Sequence, residues 1–179
     1  MNLKHVKIVI LILSIVIFMV GCNNKDTDVV SIQIIENAQY KTEVYSQINQ
    51  DFANDYRKYV ILAIEAYNCY FKNQDKFFDY GNQDDKLIEY INKLSSHTSN
   101  MSSTYNTKDN NKEKEMWLKA GKFNMALLGI QYDFLQCEKQ LLEGKEMPDE
   151  KFKKAISYGQ QSFLKSKEIL LEMINYFEK

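Results

Sequence analysis

Apolar positions along this chain fall into one continuous run followed by several periodic ones. From Val6 to Val20 the sequence is apolar except at Lys7 and Ser14, and it follows a basic start with Lys4 and Lys7. A basic start, a short apolar stretch and a small residue before the cleavage point are the layout of a secretory signal. The run is shorter than the roughly 20 apolar residues that span a bilayer as a permanent helix. Asn23 to Asp28 is polar and without period, which reads as a tether. From about Glu36 the spacing becomes helical. Tyr45, Ile48, Phe52, Tyr56, Tyr59, Ala63, Ala66 and Tyr70 recur every three or four residues, one face of a helix predicted to end near Asn73.

Past an aromatic turn at Phe77, Phe78, Tyr80 and Gly81, a shorter helix is predicted with Asp84 or Asp85 as cap and Leu87, Ile88, Ile91 and Leu94 as its face. Ser95–Asn111 is rich in Ser, Thr and Asn and reads as a long loop. A third helix carries Trp117, Ala120, Asn124, Leu127, Gln131, Phe134, Glu138 and Leu141, with Gly144 placed to end it. Pro148-Asp149-Glu150 opens the last helix, whose stripe is Phe152, Ile156, Phe163, Leu170, Ile174 and Phe177. Alternating β-branched runs are missing. The expectation is an all-α protein, an antiparallel bundle of about four helices after an N-terminal signal helix. The predicted organisation is a signal peptide over 1–21, an acylated cysteine and tether over 22–35, and a bundle domain over 36–179.

Two helices carry a second stripe opposite the first. On helix one it comprises Arg57, Ile61, Ile64, Asn68 and Phe71; on helix three, Leu118, Gly121, Met125, Gly129 and Tyr132. A helix apolar nearly all round is either central in its fold or covered by something else. Helix three is expected to be the central one. Its glycines, each costing about 1 kcal/mol against alanine in a helix, suggest close backbone approach. The surplus face of helix one, Arg57, Ile61, Ile64 and Phe71 with Tyr67 beside them, is then the expected partner-binding surface. Six of the twelve tyrosines lie between Tyr40 and Tyr70, and tyrosine is favoured at interfaces.

The ending Val20-Gly21-Cys22 resembles the lipobox of bacterial lipoprotein precursors, with Met19 in place of the usual leucine. The resemblance covers residues 1–22. It implies that Cys22 is acylated, for instance with palmitate, and becomes the new N-terminus, which anchors the protein to the extracytoplasmic face of the cell membrane. Each buried lipid methylene contributes about 0.8 kcal/mol, so two or more chains hold a protein there almost permanently.

Loss of residues 1–21 removes Lys4 and Lys7 and no acid, which leaves 21 basic and 24 acidic residues, a net charge of −3. Arg57 is the one arginine. Neither figure suits a nucleic-acid partner, which calls for basic patches and bidentate arginines. Cys69 and Cys137 lie in helical patterns and are expected to be buried, reduced thiols. His97 is expected on the surface, and a single histidine does not supply a di-iron or zinc ligand set. Carboxylates such as Asp51 and Asp55 read as solvated, and no glycine-rich phosphate loop is present. No metal, no cofactor and no enzymatic activity are therefore expected.

The expected function is binding of a protein or peptide partner at the cell surface. Size, anchor and helicity resemble the small lipoproteins of bacteriocin immunity, phage exclusion and conjugative surface exclusion. The alternatives are a self-associating structural subunit of the envelope, an envelope-acting enzyme, or a signal peptide whose Ser14–Gly21 segment is released as a pheromone.

Overall fold

The computed structural model describes residues 30–72, 83–105, 109–130 and 149–178. Cys22, the aromatic turn at 77–81, Cys137, Gly144 and Pro148 lie outside the described residues. Six helices are present among them: α1 (Gln33–Glu36), α2 (Thr42–Tyr45), α3 (Gln50–Lys72), α4 (Gln83–Thr104), α5 (Asn111–Ile130) and α6 (Asp149–Ile174). The fold is an all-α bundle, and no strand occurs among the described residues.

The four long helices run alternately up and down. Tyr59 on α3 reaches Ala120 and Asn124 on α5, and Asn49 meets Glu113, so α3 and α5 are parallel. Asp55 meets Tyr105 at the far end of α4, and Glu115 meets Tyr176 at the far end of α6, so α4 and α6 run the other way. The parallel starts are locked together. Asn49 Oδ1 accepts from the Asp51 amide (2.7 Å), and Asn110 Oδ1 accepts from the Lys112 and Glu113 amides (3.0 and 3.1 Å). Both are N-caps for amides that the helix itself leaves unpaired. The Glu113 carboxylate in turn accepts from the Asn49 amide (2.7 Å), and Asn110 Nδ2 donates to the Gln47 carbonyl (2.9 Å).

Residues 31–48 do not continue α3. Asn37 and Ser46 end two single-turn helices, and Lys41 between them is extended with ψ of 136°. The segment is a strap laid over the seam between α3 and α6. Ile35, Tyr40 and Val44 are its buried anchors. The Lys41 amide donates to the Tyr176 carbonyl (3.0 Å), the Glu178 amide donates to the Gln39 carbonyl (2.7 Å), and Tyr40 pairs with Phe177. The packed residues thus begin ahead of Glu36, where the sequence places the start of the bundle.

α4 also departs from expectation. It continues through Thr104, across most of the segment read as a loop. The serines and threonines masked a regular pattern, for Leu87, Ile91, Leu94, Thr98 and Met101 keep a spacing of three and four and all are buried. No Gly or Pro interrupts the run. Thr98 satisfies its hydroxyl inside the helix, at 3.1 Å from the Leu94 carbonyl and 2.9 Å from that of Ser95.

The bundle core is rich in aromatic rings. Phe52, Tyr56, Tyr59, Tyr67 and Phe123 are fully buried. Burial raises the Tyr56 and Tyr59 hydroxyls well above the usual phenol range. Among the described residues the Tyr56 hydroxyl has no hydrogen-bond partner.

Candidate functional site

The two surplus stripes exchange places in the structure. Helix one was expected to offer a partner surface along Arg57, Ile61, Ile64, Tyr67 and Phe71. Ile64 and Tyr67 are instead core residues, at 0 % and 1 % exposure, and Arg57, Ile61 and Phe71 are half-buried. The reason is the strap. Reading residues 36–73 as one helix left nothing to cover this side of α3, whereas the folded strap and α6 cover it. Arg57 Nη1 donates to the carbonyls of Ile35 (2.6 Å) and Ala38 (2.5 Å). Its guanidinium lies over the rings of Tyr40 and Phe177, 5.3 and 5.1 Å from their centroids. It is a clamp on the strap rather than a free recognition group. Tyr67 stacks on Phe163 of α6 with centroids 5.4 Å apart and planes 7° from parallel, and Phe71 continues that stack.

Helix three, expected to be enclosed, carries an exposed apolar face. Leu118 is 46 % and Met125 68 % exposed on α5. The two glycines between and beyond them have different causes. A Cβ at Gly129 would stand 2.6 Å from Ser162 Oγ and 3.3 Å from Ser162 Cβ, so α6 does approach closely there. A Cβ at Gly121 would meet nothing within 4 Å. Gly121 borders open space.

That space is a shallow groove of about 350 Å³ along the seam between α4 and α5. Thr98, Ser99, Ser102 and Ser103 form its α4 wall, and Trp117 and Gly121 form its α5 wall. Trp117 is held in place by Nε1, which donates to the Thr98 carbonyl (3.1 Å). Behind it a buried polar chain braces three helices. The Tyr59 hydroxyl lies 2.8 Å from the Ala120 carbonyl and 2.7 Å from Asn124 Oδ1, and Asn124 Nδ2 donates to Thr98 Oγ1 (3.1 Å). The groove is thus backed by hydrogen-bonded groups, and the exposed Leu118 and Met125, three residues before and four after Gly121, lie beside it on α5.

His97, Asp55 and Glu115 are committed to the scaffold. His97 is not a solvated surface residue. It is half-buried, its Nε2 donates to the Asp55 carbonyl (3.0 Å), and it packs edge-on against Tyr59. Asp55 is not merely solvated either: its carboxylate accepts from Tyr105 (2.6 Å) and Lys58 (3.0 Å), which holds it below the usual carboxylate range, Tyr105 contributing most. Glu115 is likewise lowered, first by Lys112. It accepts from Tyr176 (2.8 Å), over whose ring Lys112 and Lys119 sit at 4.9 and 4.8 Å. Cys69 is half-buried on α3. Among the described residues no three His, Cys, Asp or Glu side chains converge on one point, and no helix is long and apolar enough to cross a membrane.

The groove was foreshadowed by two signals, a glycine on an outward apolar stripe and a hydroxyl-rich run free of Gly and Pro. Neither indicates by itself that they face each other across one seam. In comparisons with known proteins, no family model, curated protein or solved structure matches this chain.

Proposed function

We propose that this chain is a lipid-anchored protein of the extracytoplasmic membrane face, attached through Cys22, that binds a protein or peptide partner in the α4–α5 groove. One observation carries the binding reading. The strap covers the α3–α6 seam, whereas the seam across the bundle stays open and presents the indole of Trp117 with Leu118 and Met125. Exposed apolar side chains gain nothing from water, about 25 cal/mol being available per Å² when they are covered, and clustered ones mark interaction sites. The anchor reading rests on the lipobox-like Val20-Gly21-Cys22. With an anchor of that kind and a small helical domain, the role proposed is of the immunity or exclusion type.

The anchor is tested by growing cells with labelled fatty acid. Label should enter the wild-type chain and not Cys22→Ala, which should accumulate as unprocessed precursor; undiminished labelling of Cys22→Ala overturns it. The groove is tested with a photo-crosslinking amino acid at Met125 in intact cells. A discrete adduct is expected, and Gly121→Leu, which fills open space without disturbing the core, should abolish it. An adduct indifferent to Gly121→Leu, or equally strong from Lys154, counts against the groove.

A second reading, self-association, is favoured by Leu164 and Leu171, both exposed and seven residues apart on α6. Sedimentation velocity decides it: a dimer that dissociates in Leu164→Glu supports self-association, and a monomer at all concentrations removes it.

A further inference from the structure

Resting on the groove as the binding site, we infer that its partner is an acidic segment carrying apolar anchors. The exposed charges of α5 that make no ion pair among the described residues are both basic. Lys114 and Lys122 are four residues before and after Leu118, and Lys122 is three before Met125, so these side chains are neighbours on one helical face. Both lysines are exposed, and neither makes an ion pair among the described residues. The other lysines of this helix are engaged: Lys112 with Glu115, and Lys119 with Glu115 and Glu172. The opposite wall contributes no charge at all, since no residue from Leu94 to Thr104 is ionisable at neutral pH except His97. His97 faces away, toward Asp55 and Tyr59 of α3.

The domain as a whole carries more acids than bases, so a basic rim on this one apolar face is a local departure from its average. The site thus offers two cations flanking Leu118, an apolar floor at Trp117 and Gly121, and hydroxyls from Ser99 and Ser102. An amphipathic peptide with glutamate or aspartate beside leucine-like anchors matches each part. Its anchors fill the groove in the helix-in-groove manner, and its acids meet Lys114 and Lys122.

Shape selects a peptide over a bilayer. Side chains of a peptide can enter the groove between α4 and α5, whereas a flat lipid surface meets only its edges.

Trp117 is the one tryptophan of the chain, so its fluorescence reports the groove directly. The full chain, reconstituted in phosphatidylcholine nanodiscs, is titrated with a 15-residue amphipathic peptide bearing leucines on one face and glutamates on the other. The control is the same peptide with lysines for glutamates. The acidic peptide is expected to shift Trp117 emission to the blue and the basic one to leave it unchanged. The double charge reversal Lys114→Glu with Lys122→Glu should weaken the acidic peptide by roughly tenfold and admit the basic one, and high salt should narrow that difference. Circular dichroism melting checks that the reversed protein is folded, as two exposed sites predict. Equal binding of both peptides, or no shift with the acidic one, overturns the inference. A Trp117 shift on adding phosphatidylglycerol to the nanodiscs, or with protein concentration alone, overturns it in favour of a membrane or a second copy. The Gly121→Leu loss of the Met125 crosslink is independent of peptide charge, so a failure of the acidic assignment is distinguishable from a failure of the groove.

Discussion

Tyr59 of α3 and Asn124 of α5 meet in the middle of the bundle, with the phenol oxygen 2.7 Å from Asn124 Oδ1. The bond orients the amide so that its nitrogen serves Thr98 on α4, and three helices share one chain of polar groups.

Tyr59→Phe leaves the buried Asn124 oxygen without its donor, which costs about 1–3 kcal/mol. Tyr56→Phe removes a hydroxyl that has no partner among the described residues. It is expected to change stability by less than about 0.5 kcal/mol, or to raise it. Urea unfolding of the two variants provides the comparison, and equal losses at both positions would contradict this account.

Arg57 holds the strap with two carbonyl bonds and two aromatic faces. Arg57→Ala is expected to lower stability by about 2–4 kcal/mol and to expose the strap to trypsin at Lys41. Arg57→Lys should not rescue it, because an ammonium does not reproduce the planar fork. Limited proteolysis followed by mass spectrometry reads the cleavage site.

The glycines of α5 should respond in opposite directions. Gly121→Ala meets open space and gains helix propensity, about 0.5–1 kcal/mol. Gly129→Ala meets Ser162, so that gain is cancelled or reversed. Ser162→Ala, by removing Oγ, should restore part of it. Thermal melts of the four single and double variants test the coupling.

The Tyr105–Asp55 bond gives stability a defined pH dependence. Asp55 is lowered, chiefly by Tyr105, and Tyr105 is pushed up to about 12, first by burial and then by Asp55. A lowered carboxyl stabilises above its unfolded pKa, near 3.9, and that contribution is lost as pH falls through the folded value. A raised phenol stabilises below about 10 and loses its contribution as pH rises through about 12. Wild type and Tyr105→Phe should therefore differ at pH 6 and converge toward pH 2.5. Parallel curves in urea unfolding across that range would rule out the bond as the cause.

Much of the bundle is legible in the sequence, because Phe52, Tyr56, Tyr59, Leu87, Ile91, Leu94, Ala120, Leu127 and Leu170 keep helical spacing and are buried. What is not legible is tertiary. Nothing local distinguishes the strap from a first helical turn, since Tyr45 and Ile48 fit the same period as Phe52. That one misassignment left uncovered, in the sequence reading, a face of α3 that the strap and α6 cover in the fold. The serines of α4 concealed a helix because their composition is that of a loop, whereas the buried positions beneath them follow the helical repeat. Trp117 and Thr98 come from different helices, so no spacing along the chain could pair them.

The strap has a consequence for the order in which this domain closes. Lys41 bonds to Asn175, 134 residues away, and Tyr40 rests against Phe177. Bringing such distant segments together costs loop-closure entropy that grows with the logarithm of their separation. The helices between them, once formed, shorten the span that must close. Synthesis delivers the strap early and its partners at 176–178 late, so the contacts between them are among the last that can form. Until then Tyr40 lacks Phe177, and Arg57 lacks one of its two aromatic faces. A chain cut before residue 176 would keep the strap and lose both main-chain partners that latch it.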